Sequence, residues 1–268
     1  MNGAPRVNGA PDTSRHASPF VDLGAIRDRL SGGPVLVALD FDGTLTEIDA
    51  DPGRPGLTAE RRAILARLPS PERRLAIVSG RALADVRGRV GVPEAIYIGN
   101  HGLEIQGLGV ERRPPEEVAE RMARLLELGA DHLEGEGGVQ VEDKTWTATL
   151  HVRPRGDTRR LAGIEARLRD LVEGAGFVLR SGKASWEIRP ADAFDKGDAL
   201  RYVIDALPEG SAERALYIGD DETDEDAFRA LPSAVTARVG DRDVETAARY
   251  RLVDPAEVYR LLEALFAG

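Results

Sequence analysis

The chain of 268 residues contains no cysteine. Disulfides and thiolate metal sites are therefore excluded, and any metal must be held by oxygen or imidazole donors. Positive charge is also in short supply. The 36 Lys and Arg residues against 46 Asp and Glu give a formal charge of −10, which disfavours nonspecific attachment to DNA or anionic membranes. An anionic substrate would then need a local group of cations or a bound metal. Long apolar runs are missing too: none approaches the ~20 residues of a membrane span, and the first residues, MNGAPRVNGA, lack the apolar stretch of a secretory signal. A soluble, cytoplasmic protein that engages neither nucleic acid nor membrane is expected. The length allows one large domain or two modest ones with their own cores.

What is present begins with Val35-Leu36-Val37-Ala38-Leu39-Asp40-Phe41-Asp42-Gly43-Thr44-Leu45, an apolar run that ends in two carboxylates one residue apart. Side chains alternate along an extended chain, so Asp40 and Asp42 can point the same way where a buried strand stops, and Gly43 permits the turn that follows. Two such acids can hold a divalent cation; with it bound, Asp40 can serve as a nucleophile while Asp42 carries a proton. The plainer alternative is that Asp42 merely opens a polar turn. A second acidic strand end follows Leu216-Tyr217-Ile218-Gly219, where six of the seven residues from Asp220 to Asp226 are acidic. A helix start suits Glu225 and Asp226 but does not account for Asp220 and Asp221, which directly follow the apolar run. Neither stretch has the glycine and terminal glutamate of an EF-hand loop. A shared Mg2+ site is the expectation, and a phosphate beside it would need donors. Ser79, after the run Leu75-Ala76-Ile77-Val78, and Lys196, opening a helix, stand at matching points of the pattern.

The pattern itself is α/β. Residues 1–20 read as a loosely attached tail, whose His16 is given no role. A short helix spans Val21 to Leu30, and Thr58 can cap a helix running to about Leu68. Strands at 74–78 and 95–99 alternate with a helix from Ala82, which predicts right-handed crossovers and a parallel sheet. From 103 to 190 the grammar changes to paired short strands with two helices, about Pro115 to Gly129 and Asp157 to Gly174, an α+β module inserted between core segments 21–102 and 191–268. The parallel pattern then resumes, closing with a helix from Pro255 to Phe266.

The ordered set of Asp40-Phe41-Asp42-Gly43-Thr44, Ser79, Lys196 and Gly219-Asp220-Asp221 with Asp224 resembles the haloacid dehalogenase superfamily, over about residues 34–100 and 192–260. Aspartate at 42 is similar to the phosphatase and mutase branches. In closer detail the chain resembles trehalose-6-phosphate phosphatases, at Ile77 to Arg81, Gly99 to Glu104, Val141 to Lys144, Gly182 to Pro190 and Gly219 to Asp226. Glu47 departs from the proline often found there in that family, which leaves the loop's conformation open.

The resemblance implies a Rossmann-like core with an inserted cap of the C2 type. It also implies Mg2+, held by Asp40, the Asp42 main-chain carbonyl and Asp220, with Asp221 and Asp224 acting through water or on Lys196. Asp40, Asp42, Ser79 and Lys196 would be catalytic. Glu142, Lys144, Lys183 and Glu187 on the cap hairpins would grip sugar hydroxyls by charge-assisted hydrogen bonds, with Arg81, Asn100, His101 and Gly102 on the floor near the hinge. His132 and His151 are read as structural or exposed. The implied partner is a sugar phosphate, with a functional link to a trehalose-phosphate synthase, and the chain is expected to be monomeric. A phosphatase for sucrose phosphate or a glycosyl phosphoglycerate, a noncatalytic sugar-phosphate sensor and a phosphomutase are the competing readings.

Overall fold

A computed structural model describes residues 17–49, 56–133, 139–152, 158–182, 185–207, 213–241 and 243–266. After a 3-10 turn at Pro19–Asp22, helix α1 (Leu23–Arg29) leads into β1 (Val35–Asp40), buried at all six positions. Burial on both faces is the condition of a central parallel strand, which helices cover from either side. Next come α2 (Ala59–Ala66), β2 (Arg73–Val78), α3 (Leu83–Val90) and β3 (Ala95–Gly99). Thr58 caps α2 by accepting from the Arg61 N–H. The loop that Glu47 left open is tied down by Arg61, whose guanidinium donates to both Glu47 carboxylate oxygens and to the Leu45 carbonyl.

The chain continues through β4 (Glu104–Gly107), β5 (Val110–Arg112), α4 (Glu116–Leu133), β6 (Val139–Asp143), β7 (Ala148–Val152), α5 (Thr158–Gly174), β8 (Phe177–Gly182) and β9 (Ser185–Pro190). It returns with α6 (Lys196–Asp205), β10 (Ala215–Gly219), α7 (Asp224–Ala230), β11 (Val235–Val239), β12 (Tyr250–Leu252) and α8 (Pro255–Phe266). The main sheet has the order β12-β11-β10-β1-β2-β3-β4-β5, parallel from β12 to β3 and antiparallel beyond. Strand β1 lies between β10 and β2, at the point where the strand order reverses, and such a point opens a crevice at the strands' carboxyl ends. Register places Leu39 beside Ile218 and Asp40 beside Val78, so all three strands deliver their last residues to one edge.

Alternation along β1 decides which acid meets which helix. Val35, Val37 and Leu39 join one apolar layer with residues of α1, α2 and α8, while Leu36 and Ala38 join the other, with Ala199, Leu200 and Val203 of α6 and Ala227 and Phe228 of α7. Asp40 follows the second set, beside the starts of α6 and α7.

The inserted unit has its own antiparallel sheet, β6-β7-β9-β8, whose cluster joins Leu150, Phe177, Trp186 and Ile188 to Met122 of α4 and Leu168 of α5. One boundary differs from the expectation. Strands β4 and β5, grouped with the insertion at 103–190, extend the main sheet: Ile98 pairs with Ile105, and Ile105 with Arg112. A short hairpin looks alike in sequence whichever sheet it joins, and here the reversal at Asn100–Gly102 folds it back onto β3. The three-residue β12 is a further strand that the pattern missed. No helix among the described residues is long and apolar enough to cross a membrane.

Candidate active site

Asp40 ends β1 at 4% exposure, and its carboxylate accepts from Lys196 Nζ at 2.8 Å. Lys196 is the first residue of α6, whose start is fixed by reciprocal side-chain to backbone bonds between Asp195 and Asp198. The same ammonium donates to Asp224 Oδ1 at 2.7 Å and lies 3.6 Å from Asp221. Burial pushes the Asp40 carboxyl well above its ordinary range, with Lys196 opposing. Burial works downward on Lys196, but Asp224 and Asp40 outweigh it and hold the group well above its usual value, hence charged. Burial, then Asp224 and Asp221, raise Asp220 to about 7. One ammonium cannot neutralise Asp40, Asp220, Asp221 and Asp224 together, and the shortfall is the charge that a divalent cation with oxygen ligands would supply.

The acids differ in how much bonding capacity they have left. Oxygens of Asp40, Asp220 and Asp224 lie within 4.8 Å of one another. Asp224, however, already accepts four bonds: from Lys196 and the Tyr217 hydroxyl on Oδ1, and from the Asp220 and Asp221 N–H groups, at 2.8 and 3.0 Å, on Oδ2. A carboxylate offers roughly four lone-pair sites, so Asp224 acts as a strut that aims Lys196 and shapes the loop. Asp221 caps the start of α7 through Thr223 and the Asp224 N–H. Burial works upward on it, but Lys196 and Thr223 hold it well below the usual carboxylate range. Asp220 accepts a long bond, 3.4 Å, from Thr44 Oγ1 and lies against the Asp40 carboxyl. It can approach β1 because Gly43, at φ +84°, has no side chain: a Cβ there would stand 2.1 Å from Asp220 Oδ2. Asp40 and Asp220 therefore fit a magnesium ion better than the other acids do.

Asp42 stands apart from this group. Its two oxygens accept from Arg81 Nε and Nη2, each at 2.7 Å, and Arg81 also reaches Asp85 at 3.2 Å. The expectation gave the Asp42 side chain a proton to carry, brought Asp42 to the metal through its main-chain carbonyl and set Arg81 at the substrate; in the structure the two side chains engage each other. Ser79, 1% exposed, accepts from the Arg81 N–H at 3.1 Å, which leaves its own hydroxyl hydrogen to donate.

Above these residues a cleft of about 860 Å³ separates the sheet edge from the cap, with Asp40, Asp42, Ser79 and Lys196 below and Glu142, Lys144, His151 and Glu187 above. Lys144 crosses it to donate to the Gly80 carbonyl at 3.1 Å. His101 Nε2 lies 3.1 Å from Glu187 Oε1. Burial pushes Glu187 upward, but His101, with Arg189 and Lys144 behind it, more than reverses this and the carboxyl falls to about 2. Asn100 and Gly102 are buried and lie outside the cleft lining; Gly102, at φ +115°, abuts the Asp195 carbonyl, where the chain returns from the cap. Lys183 and His16 lie outside the described residues, as does the His132 side chain. Two further residues were missed. His151 lines the cleft and meets Glu142 at 2.9 Å, as the alternation of Thr147, Thr149 and His151 with buried Ala148 and Leu150 could have signalled. Tyr217 reads as core, and nothing in its strand betrays the bond to Asp224.

A parallel α/β sheet with an aspartate closing its central strand, a lysine opening a helix beside it, an acidic loop after the neighbouring strand and an inserted α+β cap places the chain in the fold class of haloacid dehalogenase-like proteins. A haloacid dehalogenase-like hydrolase from Bacteroides thetaiotaomicron shares the fold at a TM-score of 0.63 over 87% of this chain and 100% of that one, with 17% identity. Within the class the chain belongs to the trehalose-phosphatase family, whose match covers residues 38–255. It is 38% identical over 256 residues to a trehalose-phosphate phosphatase of Mycobacterium marinum, covering 91% of this chain but 65% of that protein, so it spans just under two thirds of that relative's length. The trehalose-6-phosphate phosphatase of Aspergillus fumigatus superposes at a TM-score of 0.69 with 26% identity, covering 94% of this chain and 99% of that one.

Proposed function

We propose that the protein is a Mg2+-dependent phosphatase that hydrolyses trehalose 6-phosphate to trehalose and phosphate. The observation that carries this reading is the buried Asp40–Lys196–Asp224 assembly, short of positive charge, on the floor of a cleft roofed by polar cap residues. Family membership supports the choice of sugar. Asp40 attacks phosphorus in line with the sugar oxygen, the P–O bond to the sugar breaks, and an aspartyl phosphate forms on Asp40. Asp42, released from Arg81 and protonated, gives its proton to the departing oxygen; as the resulting base it takes a proton from the water that cleaves the acyl phosphate. Ser79 donates to an equatorial oxygen and Lys196 neutralises its charge. Asp40, Asp220 and the Asp42 main-chain carbonyl would hold the metal, which when bound supplies charge neutralisation at the phosphoryl group. Glu142, Lys144 and Glu187 grip sugar hydroxyls from the cap, which excludes bulk water. A trehalose-phosphate synthase would supply the substrate.

The test is phosphate release from trehalose 6-phosphate and from other sugar phosphates, with Mg2+ and with chelator. We expect kcat/KM for trehalose 6-phosphate to exceed that for the others by about tenfold or more, and release to stop on chelation. Equal rates across the panel, or turnover indifferent to chelator, would overturn the reading.

A further inference from the structure

We propose that Asn100 and Thr147 are positioning residues, forming a strut that sets Lys144 above the phosphate loop and thereby tunes affinity for the sugar; this rests on Lys144 being a substrate contact. Asn100 is completely buried, at φ +48°, a conformation that asparagine tolerates better than most residues. Its backbone faces the core: the Asn100 N–H donates to the Arg81 carbonyl at 2.7 Å and the His101 N–H to the Ser79 carbonyl at 3.0 Å. Its side chain faces the cap. Oδ1 accepts from Thr147 Oγ1 at 3.0 Å, while Nδ2 donates to Glu104 at 2.6 Å and to the Lys144 carbonyl at 3.3 Å. Glu104 in turn accepts from the Leu83 N–H at the start of α3.

One carboxamide thus joins the loop carrying Ser79 to the turn carrying Lys144. That turn is closed on itself, with the Lys144 N–H donating to the Thr147 carbonyl at 3.0 Å and the Trp146 N–H to the Lys144 carbonyl at 2.9 Å. Thr147 is fully buried, so its hydroxyl has no water to replace Asn100, and deleting it leaves an acceptor unsatisfied. Lysine loses considerable rotamer freedom when it is held; a turn fixed at both ends lets Lys144 reach Gly80 with less of that loss.

Thr147→Val replaces the hydroxyl with a methyl of similar volume, and Thr147→Ser keeps the hydroxyl. For T147V we expect KM for trehalose 6-phosphate to rise about threefold to tenfold with kcat near the parent's, and amide hydrogen exchange across 143–147 to quicken about threefold or more. T147S should match the parent in both. For p-nitrophenyl phosphate, which gives the cap no sugar to hold, KM should stay within about twofold in all three proteins. Should T147V not fold, Thr147→Ala takes its place against T147S. Unchanged exchange and KM in the hydroxyl-less variant, or equal changes in T147S, would overturn the strut. A parent enzyme that does not prefer trehalose 6-phosphate to p-nitrophenyl phosphate would defeat the substrate assignment instead, and exchange across 143–147 would still decide whether the strut exists.

Discussion

The two walls of the cleft are built on opposite principles. The floor is a buried network in which Lys196 is 2% exposed and Asp224 accepts four hydrogen bonds, so every group has one place to be. The roof is sparse: Glu142 and His151 meet on the exposed face of β6 and β7, and Lys144 reaches down across open space. Preorganised charge in a dry site is what phosphoryl transfer needs. Hydroxyl recognition needs polar groups that admit and release a sugar. Under the proposed function the contrast gives chemistry to the floor and selection to the roof, and it can be broken from either side.

The largest effect is expected on the floor. Asp40→Asn removes the proposed nucleophile and should lower kcat by about a thousandfold or more on every phosphate ester, the smallest included, while the fold survives. Circular dichroism and a phosphate-release assay check both halves, and undiminished release would end the assignment of Asp40. A smaller and selective effect belongs to the roof. Glu142→Gln keeps the shape but weakens a charge-assisted contact, so KM for trehalose 6-phosphate should rise about tenfold while p-nitrophenyl phosphate is hydrolysed as before. Loss on both substrates alike would erase the division between the walls.

The same division governs what the sequence disclosed. Asp40, Lys196 and Asp220 were legible because each interrupts an apolar strand or opens a helix at a fixed point of an alternating α/β pattern, where a charge stands out. The side-chain partner of Asp42 was not. Arg81 lies 39 positions from Asp42, and no local signal says which carboxylate a guanidinium will take. The resemblance set Asn100 on the floor beside His101, yet the left-handed turn of these two residues sends one side chain into the core–cap joint and the other to the cleft. The β4–β5 hairpin was assigned to the cap because a short hairpin reads alike whichever sheet it joins, and only the reversal at Asn100–Gly102 turns it back onto β3.

The smallest effect lies where the walls meet, at His101 and Glu187. Because the Glu187 carboxyl sits at about 2 in the folded protein against an ordinary 4.5, the ionised form is favoured by folding. A depressed carboxyl stabilises fully above its unfolded value, and the contribution is lost as pH falls from about 4.5 through about 2. That shift sets a ceiling of about 3 kcal/mol, which partial exposure, 18% of the side chain, lowers to about 1 kcal/mol. Glu187→Gln should therefore unfold at a lower temperature than the parent at pH 7, and the gap should close as the two are compared at successively lower pH towards 2. A gap that persists unchanged at pH 2 would mean that the carboxylate's charge contributes nothing and that shape alone docks β9 against the floor. A gap that closes identifies Glu187 as a residue of the roof that is held, like those of the floor, before any sugar arrives.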